Sequence, residues 1–218
     1  MELLSPFDTR LQAILSKFVK PLLKESGFAR TGDTYVRKQD ELSWLIDVQK
    51  SRYNDGTQAS FTLNCGVYVP GVLSRYGLAP EPSRPKVYHC VVSARVGMLS
   101  KEHLDIWWTL TAVEDAAFTD AKIGREVARR LVEHVLPFLQ RFSSRAEVMN
   151  FLLMPRKDCE EYVEPRDRAT SLIYAAILSL ILGDRAQCEA IMNMAAVLAA
   201  GNPFWSDFPE VRRRVLDI

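Results

Sequence analysis

The side chains best suited to binding or catalysis in this sequence are polar residues in rows on four predicted strands. Between residues 34 and 98 the polar positions of an alternating pattern hold mostly hydroxyl, amide, imidazole and guanidinium groups, which suit fixed hydrogen bonding. The candidate binding residues are Arg37, Gln49, Lys50, Thr62, Asn64, Tyr68, His89 and Arg95. Two interpretations stay open: an antiparallel sheet with one hydrated face, or a surface that binds a protein partner or a small polar ligand.

Catalysis is the alternative hypothesis. Histidine is the side chain most often used in acid–base catalysis. His89 with Lys50 and Arg37 would form a hydrolase or transferase site for an anionic substrate if the three side chains converge. Lys50 lies at a strand end, where its ammonium reaches water or joins Arg30 and Arg52 in an anion site. The sequence holds no Gly-x-Ser-x-Gly elbow and no Gly-x-Gly-x-x-Gly loop. The catalytic residues are therefore unknown, and recognition without catalysis is the favoured function, as in an accessory or immunity-type protein.

The cysteines argue against a metal site. Cys65, Cys90, Cys159 and Cys188 are scattered, with no Cys-x-x-Cys pair and no histidine at ligand spacing. We expect them to be small, buried and reduced residues. No metal and no cofactor is predicted.

A helix followed by consecutive strands must position the polar rows. Helical periodicity predicts a helix over Phe7–Glu25, bent or interrupted at Pro21, which cannot donate to the helix ladder. Asn54-Asp55-Gly56 predicts a hairpin turn, and the proline-rich segment Pro70–Pro85 is expected to lack regular structure. Alternation predicts five strands that form an antiparallel meander, over Thr34–Lys38, Leu42–Arg52, Ser60–Val69, Val87–Met98 and Ile106–Thr111.

The second half of the chain is predicted to be helical. A long amphipathic helix is expected first and a short one after it, and beyond Pro155 the residues become those of packed helices. The predicted helices are Thr119–Phe142, Arg145–Leu153, Pro165–Leu182, Asp184–Ala200 and Pro209–Leu216. The fold class is therefore α+β, with an α+β domain over residues 1–154 and a helical C-terminal extension over 155–218.

Charge and hydropathy restrict the partners. The chain has 28 Lys and Arg against 27 Asp and Glu, so no large positive net charge favours the binding of nucleic acid. The longest apolar stretch, Ser171–Leu182, is shorter than the ~20 residues that span a bilayer. The first twelve residues carry acids and no unbroken apolar run, unlike a secretory signal. We expect a cytoplasmic protein without a membrane segment, and the sequence is compatible with a homo-oligomer.

Several spaced elements resemble a known bacterial family. These are Gly27-Phe28-x-Arg30, Tyr35-x-Arg37, Gln49-Lys50-Ser51 and Phe61-Thr62-x-Asn64-x-Gly66-Val67-Tyr68-x-Pro70. Together with Trp107-Trp108 and the helix after them, they are similar to the family named domain of unknown function 4304, over about residues 5–140. The resemblance implies a small cytosolic α+β domain. It implies no reaction and supplies no catalytic residues.

Overall fold

The chain folds into the α+β architecture that the sequence predicts. The computed structural model describes residues 5–55, 57–77, 80–112, 115–155 and 162–217. The helices are α1 Pro6–Ile14, α2 Lys20–Glu25, α3 Val72–Tyr76, α4 Ala116–Arg130, α5 Leu136–Gln140, α6 Arg145–Leu153, α7 Arg168–Ile181, α8 Arg185–Ala199 and α9 Phe208–Leu216. The strands are β1 Ala29–Thr31, β2 Thr34–Lys38, β3 Ser43–Lys50, β4 Gln58–Tyr68, β5 Val92–Arg95 and β6 Trp108–Thr111.

The first helical stretch begins at a side-chain cap and contains a widened turn. The hydroxyl of Ser5 accepts a hydrogen bond from the backbone N–H of Asp8 at 3.1 Å, and Pro6 occupies the first turn. The turn Leu15–Val19 has π-helical hydrogen bonding and directly precedes α2, which carries Pro21 in its first turn. The predicted interruption near Pro21 is therefore present as a π-turn, which accommodates a residue that has no N–H to donate.

The sheet is antiparallel, in the order β1-β2-β3-β4-β5, with β6 also paired to β4. The register of β4 and β6 runs from Gln58 opposite Thr111 to Phe61 opposite Trp108. The predicted antiparallel sheet is confirmed: β1 to β5 are neighbours in chain order, as in a meander, whereas β6 returns to pair with β4. The strand β1 was not predicted. The predicted hairpin turn lies between β3 and β4, where the side-chain oxygen of Asn54 accepts from the backbone N–H of Ser60 at 2.7 Å. Its third residue, Gly56, lies outside the described residues.

Two segments differ from the prediction. The segment Pro70–Pro85 contains the helix α3, between Gly71 and Gly77, because its four prolines all lie outside those five helical residues. The single strand predicted over Val87–Met98 is also wrong. The chain forms a 3-10 turn at Val87–His89, then β5, then a second 3-10 turn at Val96–Leu99. The adjacent residues Val91 and Val92 are both buried, which a strand with strict alternation does not allow.

The described residues form two compact units that are interleaved along the chain. The first comprises Met1–Lys38, Trp44–Cys65 and Ala94–Gln140, and the second comprises Gln39–Ser43, Gly66–Ser93 and Arg141–Ile218. The division at residue 154 drawn from the sequence stays a prediction, and residues 156–161 beside it, with Cys159, lie outside the described residues.

In the first unit, two long helical stretches pack on each other and on the sheet. Helices α1 and α4 both contact β6, and α4 also packs on the π-turn Leu15–Val19. Gly124 of α4 makes room for the ring of Phe18, since a Cβ placed on Gly124 would lie 2.1 Å from Cδ2 of that ring. An ion pair joins the two stretches, from Arg10 to Asp120 at 2.7 Å, and Arg10 also donates to the carbonyl of Thr111.

In the second unit, α7 is the central helix. It contacts α3, α6 and α8, and the ten residues that it buries make it apolar on almost every side. The guanidinium of Arg168, at its first turn, donates to the last three carbonyls of the α6 region at 2.6 to 2.9 Å. Among the described residues, no helix is both long and apolar enough to cross a bilayer.

Candidate functional site

Three of the predicted binding residues meet on neighbouring strands of the first unit. The side-chain amide of Asn64 on β4 donates to the amide oxygen of Gln49 on β3 at 2.7 Å. From β5, Arg95 donates to the amide oxygens of Asn64 and of Gln49, each at 3.4 Å. The polar row predicted from the alternation is therefore continuous at this point.

The segment that follows β5 folds back and completes the group. Asp105 accepts two hydrogen bonds from one terminal nitrogen of Arg95, at 2.6 and 2.8 Å. The guanidinium carbon of Arg95 lies 5.1 Å from the ring centroid of Trp107, a cation–π arrangement. We refer to Gln49, Asn64, Arg95, Asp105 and Trp107 as the Arg95 cluster. Gln49 and Asp105 are exposed, and the other three are partly buried.

The return of this segment depends on a close backbone contact. A Cβ placed on Gly97 would lie 2.0 Å from the carbonyl oxygen of Leu104, so a larger residue there would force the chain apart. The same segment covers part of the predicted polar face. The hydroxyl of Thr62 donates to the carbonyl of Ile106 at 2.7 Å, and Thr62 is fully buried. Thr62 therefore anchors the segment and does not face solvent.

The Arg95 cluster offers hydrogen-bonding groups, one ion pair and one aromatic ring. It contains no nucleophile and no imidazole, and its carboxylate is ion-paired with Arg95. Its side chains hold one another by hydrogen bonds and by the cation–π contact, so they are already oriented in the free chain. Within the described ranges, no three His, Cys, Asp or Glu side chains lie close enough together to hold a metal ion.

Tyr68 belongs to a different local network, in the second unit. Its buried hydroxyl donates to the carboxylate of Glu81, which also accepts from the hydroxyl of Ser74 and the backbone N–H of Gly71, each at 2.9 Å. Burial, and then the contact with Glu81, raise the pKa of Tyr68. Burial opposes ionisation of Glu81, but these three hydrogen bonds outweigh it and lower the pKa of its carboxyl. The network therefore holds Glu81, which follows α3 in the chain, against Gly71 and Ser74 at the start of that helix.

His89 lies in the 3-10 turn before β5, away from any strand. Its Nδ1 accepts a hydrogen bond from the backbone N–H of Lys86 at 2.9 Å, so the neutral ring carries its proton on Nε2. The ring centroid lies 4.1 Å from that of the exposed Tyr88. The prediction that His89 lies on the polar face of a strand is therefore wrong.

Lys50 and Arg37 have partners within the first unit. The ammonium of Lys50 lies 2.6 Å from the carboxylate of Asp8, in the first turn of α1. The hydrogen bonds from Lys50 and from Ser5 lower the pKa of Asp8. The guanidinium of Arg37 donates to the carbonyl of Ser26 at 3.1 Å and lies 4.7 Å from the ring centroid of Trp44.

Asp105 and Glu81, the two acids that hold Arg95 and Tyr68, were not predicted. Both lie between the predicted strands, where the alternating pattern assigns no residue to a face. Gly97 is the one residue in the sequence that points to the returning segment, since a glycine inside a strand-like run marks a close approach of another backbone.

Comparison with known proteins gives a family and no relative of established activity. No curated protein and no solved structure matches this chain. The model of the family described as domain of unknown function (DUF4304) matches residues 19–141, which is more than half of the chain. The match includes β1 to β6, α4 and the whole Arg95 cluster. The chain therefore belongs to the DUF4304 family.

Proposed function

We propose that this chain is a non-catalytic, cytoplasmic recognition module whose Arg95 cluster binds a protein partner. The observation that carries the proposal is the arrangement of Arg95, which is ion-paired with Asp105, stacked on Trp107 and still partly exposed. Arginine and tryptophan are the residues most often found at the energetic centres of protein interfaces. A small polar ligand on the same cluster is the other form of this hypothesis.

The fixed geometry supports binding over simple hydration. Ordering a rotamer-rich side chain at an interface costs about 0.5–1.5 kcal/mol. The bonds between Gln49, Asn64 and Arg95 have already restricted these side chains in the free chain. A partner that presents a carbonyl or carboxylate to this cluster would therefore lose less entropy on binding than at a surface of mobile lysines.

The test is capture of partners from the lysate of the cell that makes this protein, with two matched double variants. Asn64→Ala with Arg95→Ala removes the centre of the cluster. Arg129→Ala with Glu133→Ala removes an exposed ion pair between α4 and the π-turn Leu131–Val135 that follows it in the same unit. We expect the wild type and the α4 variant to retain the same partner, and the cluster variant to retain at least tenfold less.

Circular dichroism must show that both variants are folded, because the cluster variant removes contacts between three strands. Native mass spectrometry of the freshly purified wild type distinguishes the two forms of the hypothesis. A bound non-protein mass that the cluster variant lacks would identify a small ligand. Equal capture by both folded variants, with no bound ligand, would exclude the Arg95 cluster as a binding site.

A further inference from the structure

The end of α8 and the turn after it present an exposed apolar surface in the second unit. Along α8, Met194, Val197 and Leu198 are spaced at one helical turn and are 52%, 75% and 46% exposed. In the following 3-10 turn, Phe204 is 78% exposed. We call these four residues the α8 patch. The opposite side of the same helix is fully packed, so α8 is apolar on two sides.

This surface carries no charge over a long run of sequence. The seventeen residues from Ala190 to Ser206 include no Asp, Glu, Lys or Arg. The nearest charged residues in the chain are Glu189, which pairs with Arg185, and Asp207. In the structure, Arg212 of α9 donates to the side-chain oxygen of Asn193 at 2.9 Å, so one guanidinium borders this surface. The four residues of the patch themselves are apolar, which suits a neutral apolar partner.

A cavity of about 400 Å³ that is wide open to solvent adjoins the patch. Its walls are mostly apolar, and they include Pro203 and Trp205, the two neighbours of Phe204 in the chain, together with Ala196, Ala199 and Phe208. An apolar cavity of roughly 150 Å³ is large enough to take up benzene. This one therefore has room for the phenyl ring of a phenylalanine.

Phe204 is held in its protruding position. The side-chain oxygen of Asn202 accepts from the backbone N–H of Phe204 at 3.0 Å and caps the turn. The ring of Phe204 meets the buried ring of Trp205 edge-on, with centroids 5.7 Å apart, and Trp205 in turn packs against Phe208. The same surface thus offers a rigid aromatic projection and, next to it, a cavity that fits such a projection.

We propose that two copies of this chain associate through the α8 patch, with Phe204 of each copy entering the cavity of the other. A twofold interface uses the same surface on both chains, so it requires a projection and a matching cavity on one surface, as found here. The four exposed side chains offer roughly 400 Å² per copy, about half of what a standard interface buries on each partner. The expected dimer is therefore reversible and depends on concentration.

The first experiment is sedimentation equilibrium of the full chain from about 5 to about 200 µM. The wild type is expected to shift from 24.8 kDa towards twice that mass as concentration rises. Phe204→Asp and Val197→Asp each place a charge in the interface and should weaken association at least tenfold. Phe118→Asp is the matched control, because Phe118 is 63% exposed on α4 in the other unit, and it should associate as the wild type does.

The second experiment locates the contact. A photoreactive benzoylphenylalanine replaces Phe204 in a mixture of ¹⁴N- and ¹⁵N-labelled chains, and we expect mixed-isotope crosslinks to residues 196–209. A monomer at every concentration would overturn the proposal, and so would a dimer that both aspartate variants preserve. Phe204-dependent sedimentation of a monomeric chain with phosphatidylcholine–phosphatidylserine vesicles would overturn it in favour of a lipid surface.

Discussion

Replacing Gly124 by alanine tests how the two long helical stretches of the first unit pack. Gly124 lies in the middle of α4, where helix propensity favours alanine over glycine by about 1 kcal/mol. From the sequence, the substitution should stabilise the protein. The structure reverses this expectation, because the added Cβ would lie 2.1 Å from Cδ2 and 2.6 Å from Cγ of Phe18.

The magnitude follows from two opposing terms. Cγ is close to the backbone of Phe18, so rotation of the ring does not remove the overlap, and overpacking of this kind costs about 1–3 kcal/mol. After the gain of about 1 kcal/mol in helix propensity is subtracted, Gly124→Ala should lower the free energy of unfolding by roughly 1 kcal/mol. When Phe18→Ala has removed the ring, the same substitution should raise it by about 1 kcal/mol, so the coupling between the two sites is about 2 kcal/mol.

The assay is urea unfolding followed by far-ultraviolet circular dichroism for the four members of this cycle. The exposed position Lys122 of the same helix supplies the control, because there the alanine variant should exceed the glycine variant in stability by about 1 kcal/mol. If Gly124→Ala stabilises the protein equally with and without the ring of Phe18, the packing of α4 on the π-turn described above is incorrect.

Three further predictions concern single polar contacts. Tyr68→Phe should lower the free energy of unfolding by about 1–2 kcal/mol. Because the pKa of Tyr68 is raised in the folded chain, this difference in stability from wild type should be full below about pH 10 and shrink as the pH rises further. Urea titrations at pH 7 to 11 measure the difference. A difference that grows above pH 10 would contradict the contact with Glu81. Arg168→Ala should cost about 2–3 kcal/mol, since it leaves the last carbonyls of the α6 region without their donor, and an unchanged urea midpoint would refute this cap. Asp120→Asn should cost about 2 kcal/mol by weakening the bidentate contact with Arg10 in a partly buried pair. Because burial reduces screening, part of this loss should remain when the salt concentration rises from 0.05 M to 0.5 M; a loss that vanishes in salt would mark a purely surface contact.

The parts of the fold that local sequence determines are those that the sequence predicts well. Helix α6 begins and ends at the predicted residues, and in the structure Ser144 and Glu147 form a capping box at its start. The Arg95 cluster is predicted only in part, for a physical reason. The pairing of Gln49 with Asn64 follows from strand alternation, whereas Asp105 reaches Arg95 through a turn that depends on contact between Gly97 and Leu104. The position of His89 could not be derived either, since it depends on where the strand begins.

The π-turns at Leu15–Val19 and Leu131–Val135 bear on how family members should be compared. A π-turn accommodates one residue more than a regular turn, and each residue of an α-helix advances the rotation by about 100°. Because the π-turn already holds one extra residue, deleting one residue from Leu131–Val135 would restore regular pitch and leave Phe138 and Leu139 of α5 facing the core. A relative with a regular helix here must carry its apolar residues one position earlier. The turn Leu131–Val135 lies within the residues that the family model matches. In this family, a gap of one residue at that turn therefore signals a change of helix geometry with the core preserved, and it should be aligned as such.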